Sequence, residues 1–184
     1  MNTKTERHIA EIIPPDYTLS RSERQDGDDL TLRHDSTQNV VYHCSIHNLP
    51  GTGIVYPVAP VLPLAPDHRQ ALPDIKLRML EHILHHHRVI LMSAGNESTG
   101  GRFSFQTQLE YAMSRGYNAY QLAGMSITRF DDKALQSALA SPWTERLPLV
   151  LLSERELPLD ADYEIPVDYV HSLDRIDARD AAGS

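Results

Sequence analysis

The chain has 184 residues, 41% hydrophobic and 23% charged, enough for one domain with its own core and too apolar for wholesale disorder. A formal charge of −8 is the wrong sign for an unaided grip on nucleic-acid phosphates, so no direct nucleic-acid binding is expected. No stretch approaches the roughly 18 apolar residues of a membrane helix, the first residues lack the apolar run of a secretory leader, and Cys44 is the one cysteine; a soluble, cytoplasmic protein is the expectation.

Residues 1–28 are polar, broken by Pro14-Pro15 and Gly27, and read as an arm with one short helix near Glu6 to Ile13. A single domain is expected over 29–171, followed by a solvated tail at 172–184 whose aspartates and arginines alternate. Asp29 to Ala59 reads as strands. Leu30 and Leu32 alternate with polar residues, Asp35 to Asn39 supplies turn chemistry, and Val40, Tyr42, Cys44 and Ile46 share one strand face. Cys44 is therefore expected in the core. Pro60, Pro63, Pro66 and Pro73 then exclude a central strand and argue for a surface connector without a helix.

The rhythm changes after the connector. Asp74 to His87 has helical spacing, Val89 to Ser93 is a short apolar strand, and Phe103 to Arg115 is an amphipathic helix burying Phe105, Leu109, Ala112 and Met113. Gly116 sits where a left-handed cap ends a helix. Tyr117 to Ala123 reads as a strand, Asp131 or Asp132 as the cap of a further helix, and Leu147 to Leu152 and Ile165 to Val170 as strands. The expected fold class is α/β: an antiparallel amino-terminal meander joined to β-α-β crossover units, forming a mixed, largely parallel sheet.

Ten histidines raise the question of a metal. His82 and His86 are spaced for chelation on a helix, but helical geometry places His82 and His85 with Arg78 and Glu81 opposite the apolar stripe, and no HExxH pattern is present. His43 and His47 share a strand face about 13 Å apart, too far for one ion, although either alone is a candidate acid or base. No metal site is expected.

The concentrated polar constellation is the strand-to-helix loop at 93–102. Ser93, Gly95, Asn96, Ser98, Thr99, Gly100, Gly101 and Arg102 combine close backbone approach, hydroxyl and amide donors and a guanidinium, at the start of a helix whose N–H groups attract anions. Glu97 and Glu110 are the candidate acid/base groups, and Ser153 and Glu154 end another strand expected to line the same crevice. Gly95 and Gly100 have phosphate-loop spacing, but Gly101 and Arg102 stand where lysine and a hydroxyl residue belong, which argues against an NTPase. The loop matches neither the dinucleotide fingerprint nor a nucleophile elbow. The same residue types also make ordinary loops and helix caps. Two functions are therefore expected: binding of an anionic, nucleotide- or phosphate-like ligand at this loop, as an enzyme or not, or a non-enzymatic regulator or inhibitor that binds another macromolecule. No cofactor is specified by the sequence.

Overall fold

The computed structural model describes residues 13–59, 62, 64–93, 99–131, 133, 137 and 149–173, with side chains omitted at 99–104. The expected amino-terminal helix near Glu6, the helix after Asp131 and most of the tail lie outside the described residues.

Four antiparallel strands come first: β1 (Tyr17–Arg24), β2 (Gly27–His34), β3 (Val40–Asn48) and β4 (Val55–Val58). The chain assigned to a polar arm thus already runs in the sheet at Tyr17. Polarity misleads there because β1 is an edge strand, bonded on one side to β2 and exposed along most of its length. Gly27 opens β2 where a Cβ would sit 1.8 Å from the Ile46 carbonyl oxygen, so only glycine permits the close approach of β3. A bulge between Leu32 and Arg33 leaves Val41 as the extra residue of β3. It flips the alternation locally: Val40 is 37% exposed while Val41 joins the core.

The proline-rich connector does hold a helix, α1 (Pro66–Ala71). Pro66 begins it, at a position whose N–H would have no helical acceptor, so proline costs nothing there. Helix α2 (Ile75–His86) follows, then β5 (Val89–Met92), α3 (Thr99–Ser114), β6 (Asn118–Ala123), β7 (Ser126–Phe130) and β8 (Val150–Ser153). Helix α3 ends in a Schellman motif: Gly116 at φ +87° lets its N–H reach the Met113 carbonyl and the Tyr117 N–H reach the Ala112 carbonyl. Residues 167–173 are helical, not the strand expected from Ile165 to Val170.

The eight strands form one sheet in the order β1-β2-β3-β4-β5-β8-β6-β7. The expectation of a largely parallel sheet is overturned. Among the described strands, only β4 and β5 pair in parallel; β5 with β8, β8 with β6 and β6 with β7 are all antiparallel. The α3 crossover does return β6 in the same direction as β5. However, β8 is inserted between them, and the β6–β7 hairpin turns tightly at Gly124-Met125. An apolar run such as Leu149 to Leu152 announces a buried strand, but it says nothing of direction or neighbours.

Helices α2 and α3 cover one face of the sheet. Met79 and Ile83 of α2 and Leu109 and Ala112 of α3 bury against Leu32, Cys44, Ile90 and Leu152, each at or below 2% exposure. Burying a leucine-sized side chain this fully contributes about 1.5–3 kcal/mol. The carboxyl-terminal segment covers part of the other face, where Tyr56, Leu91, Tyr120 and Leu151 meet Val170 and Leu173. No helix among the described residues is long and apolar enough to cross a membrane.

The two helices are also tied by a polar clamp. Glu81 of α2 is 8% exposed; it accepts the Tyr111 hydroxyl at 2.7 Å and two Arg115 N–H donors at 3.0 and 2.8 Å. Burial, and then the Glu81 carboxylate, push the Tyr111 hydroxyl up to about 12. Glu81 and His82, expected on the watery side of α2, are both buried, because α3 and β1 to β3 cover a wider arc of the helix than its apolar stripe.

Candidate functional site at the parting of β4 and β5

The one parallel junction among the described strands is also the least paired. Val55 opposite Ile90 is its registered pair, whereas every residue of β5 has a partner on β8. The cause is legible in the backbone. The Ile54 carbonyl accepts the Leu49 N–H on the β3 side, so by alternation Val55 and then Pro57 turn their backbone groups toward β5. Pro57 has no N–H to give. The registered ladder ends at Val55, and it is in this sense, the end of pairing, that the carboxyl ends of β4 and β5 part.

The loop singled out from the sequence leaves β5 at this parting. Ser93 is half-buried at its start. Gly95, Asn96, Glu97 and Ser98 lie outside the described residues. Thr99, Gly100, Gly101 and Arg102 belong to the first turn of α3, which begins four residues earlier than periodicity suggested. Their backbone N–H groups are those that a helix leaves without an internal acceptor.

Glu110 is not part of this arrangement. It lies eleven residues along α3, about 16 Å from Thr99 at 1.5 Å per residue, is exposed, and accepts the Gln106 side-chain amide at 2.9 Å. Ser153 and Glu154 are also elsewhere. Because β8 runs antiparallel, Ser153 pairs with Val89 at the opposite end of β5 and donates to the Arg88 carbonyl at 3.0 Å.

Across the sheet, on the face away from α2 and α3, a polar ladder approaches the same edge. Ser45 pairs with Val58, the last residue of β4, and His43 lies two residues farther toward that edge. Thr31 Oγ1 is 3.2 Å from His43 Nδ1, His43 Nε2 is 3.4 Å from Ser45 Oγ, and Ser45 donates to Asp29 Oδ1 at 2.7 Å. With the serine proton committed to Asp29, the consistent arrangement has Nε2–H of His43 donating to Ser45 and Nδ1 accepting from Thr31. Ser45 is thus not set up as a nucleophile activated by imidazole. His47 is separate, near Asp26 at 3.4 Å toward the other end of the strand. Burial, then Arg24, push its pKa below 6.5 against the pull of Asp26 and Asp29.

Sequence reasoning weighed His43 alone and missed its partners. The signal was present: Thr31, His43 and Ser45 all occupy polar positions of alternating strands, but their pairing needs the register of β2 on β3. No cluster of three or more histidine, cysteine, aspartate or glutamate side chains suited to a metal occurs among the described residues.

No family model matches the chain, and no curated protein matches it. Among solved structures, a proposed acetyltransferase from Sphaerobacter thermophilus DSM 20745 is similar over 83% of this chain and 87% of its own, at 13% identity and a TM-score of 0.36, a likeness too slight to transfer any property.

Proposed function

We propose that the protein binds a small anionic ligand, nucleotide- or phosphate-like, at the parting of β4 and β5. The loop at 93–98 and the first turn of α3 receive the charge. The observation that carries this reading is the parallel pairing that ends at Val55, two residues before Pro57. Ligands of open sheets gather outside the carboxyl ends of parallel strands. The chain that leaves β5 there runs on to a 16-residue helix with Gly100 and Gly101 near its start. Its unpaired N–H groups and partial positive charge suit an oxyanion, and Arg102 adds a guanidinium within the same turn.

If the site is catalytic, His43 and Glu97 are the acid/base candidates, since Glu110 is too far along α3. The test is a thermal-shift panel of nucleotides, sugar phosphates and inorganic phosphate with the parent and Arg102→Ala. A ligand at one hundred times its dissociation constant stabilises by about 2.7 kcal/mol. Arg102→Ala is expected to weaken binding by about 1.5–3 kcal/mol while barely changing the melting of the free protein. Silence across the panel, or equal binding by the variant, would replace this reading with the alternative of a non-enzymatic regulator that binds another macromolecule.

A further inference from the structure

A cavity of about 150 Å³ lies where the last turn of α2 crosses β1, β2 and β3, on the face opposite His43. Its floor is apolar, formed by Leu19, Leu30, Ile46 and Ile83. Its rim is not: Arg21 closes one side and His82, His86 and His87 the other. No residue of the candidate site at the strand parting lines it, and the two places are independent of each other.

The rim groups are held in defined states. Arg21 Nη2 donates to Asp28 Oδ2 at 2.6 Å, and the guanidinium, half exposed, keeps further N–H donors on its other edges. His86 Nδ1 donates to the His82 carbonyl at 2.8 Å, which fixes its tautomer and leaves Nε2 as the basic atom. The His82 and His86 rings lie 4.3 Å apart between centroids. His87 is half-buried; burial first, then Arg21 and His86, push its pKa down, and Asp28 pulls the other way. The groups facing His87 are therefore Arg21 from β1, Asp28 from β2 and its own helix neighbours, while β3 contributes only the apolar Ile46.

We propose that this cavity is a binding site for a short-chain monocarboxylate, with its tail on the Leu19–Leu30–Ile46–Ile83 floor and its carboxylate between Arg21 and His87. Size limits the ligand, because a cavity of about 150 Å³ holds a molecule no larger than a benzene-sized body and a small head. The head must be anionic, since an ammonium would face the Arg21 guanidinium. A singly charged head suits it better than a dianion such as phosphate, which loses far more hydration on entering a partly enclosed site with one guanidinium to receive it. A carboxylate also suits the planar guanidinium fork. Its arrival beside a neutral imidazole raises that imidazole's proton affinity, so binding takes up a proton.

Calorimetric titration of the full chain with hexanoate, hexan-1-ol and hexylamine, at about pH 6 and about pH 8, tests this. Hexanoate should bind, about tenfold or more weakly at the higher pH, with a heat that varies with buffer ionisation enthalpy as proton uptake requires. The alcohol and amine should bind far more weakly. His87→Gln should abolish the pH dependence, Arg21→Met should weaken hexanoate about tenfold or more, and Leu19→Trp should block the cavity. Arg21 and His87 are not core residues, so these two variants report even if Leu19→Trp fails to fold. The proposal is overturned if hexanoate does not bind at millimolar concentration, if the alcohol or amine binds as well, or if affinity is indifferent to pH. It is overturned equally if Arg21→Met and His87→Gln both bind like the parent.

Discussion

Strand β5 has two sides that could hardly differ more. On one, all four of its residues register with β8, and Leu91 and Leu151 are both fully buried. On the other, pairing with β4 is confined to Val55 and Ile90. The strand itself is uniformly apolar, so its composition does not set the difference. Its neighbours do: β8 offers Val150, Leu151 and Leu152, each with an N–H, whereas β4 offers Pro57 at the next ladder position. Pro57 is the residue at which this side of the sheet lacks a donor to continue the ladder.

The contrast can be broken from the strong side first. Leu151→Ala should cost about 2–5 kcal/mol in denaturant unfolding, because it leaves a cavity in the fully paired part of the sheet. Val58→Ala, on a half-buried residue at the parting, should cost well under half as much. Equal losses would mean that the two sides of β5 are equally integrated.

The clamp behind the sheet ranks next. Arg115→Met should cost about 1.5–3 kcal/mol, since the buried Glu81 carboxylate keeps only the Tyr111 hydroxyl among the clamp's donors. Glu81→Gln should lower the Tyr111 ionisation from about 12 in an ultraviolet titration, though burial still holds it above an exposed tyrosine. An unchanged Tyr111 would remove Glu81 as a cause.

Pro57→Val sharpens the comparison most finely. The new N–H can extend the ladder to β5 at a net gain of about 0.5–1.5 kcal/mol, offset by about 0.4–1 kcal/mol of restored chain freedom in the unfolded state. Stability should therefore change by less than about 1 kcal/mol. Hydrogen exchange should show residue 57 protected, and ligand binding at the parting should fall. A freely exchanging residue 57 would assign the parting to another cause.

The pH dependence is smaller still. His47 holds its proton less readily when folded than at the model-peptide value of 6.5, so below that value the unfolded chain binds more protons and folding loses stability. The contribution is intact above pH 6.5 and declines as pH falls through the depressed pKa. His47→Gln should flatten the fall in melting temperature between about pH 7.5 and about pH 5; an unchanged slope would place the titrating group elsewhere.

Parts of this fold were legible in the sequence for specific reasons. Phe105, Leu109 and Ala112 announced the buried stripe of α3 by spacing alone, and Gly116 announced its end. Strand β7 was missed although Gly124-Met125 is a two-residue hairpin turn with glycine first, a local signal that precedes Ile127. The insertion of β8 between β5 and β6 had no local signal, because order in a sheet is settled by which faces can be covered. At the candidate site the glycines and Arg102 stood out by type, whereas the His43 ladder depended on register and the role of Pro57 on which way one carbonyl points.

Exposure of the first turn of α3 to an anion, through the parting of β4 from β5, is tested most directly by an amide nuclear magnetic resonance titration. The parent chain is titrated with a nucleotide that the thermal panel selects. The N–H resonances of Thr99, Gly100, Gly101 and Arg102 should move first and farthest, with Ser93 next, while those of Ser153 and Glu110 stay put. Saturable binding that leaves residues 99–102 unmoved, or that moves the amides beside Ser153 instead, would contradict it.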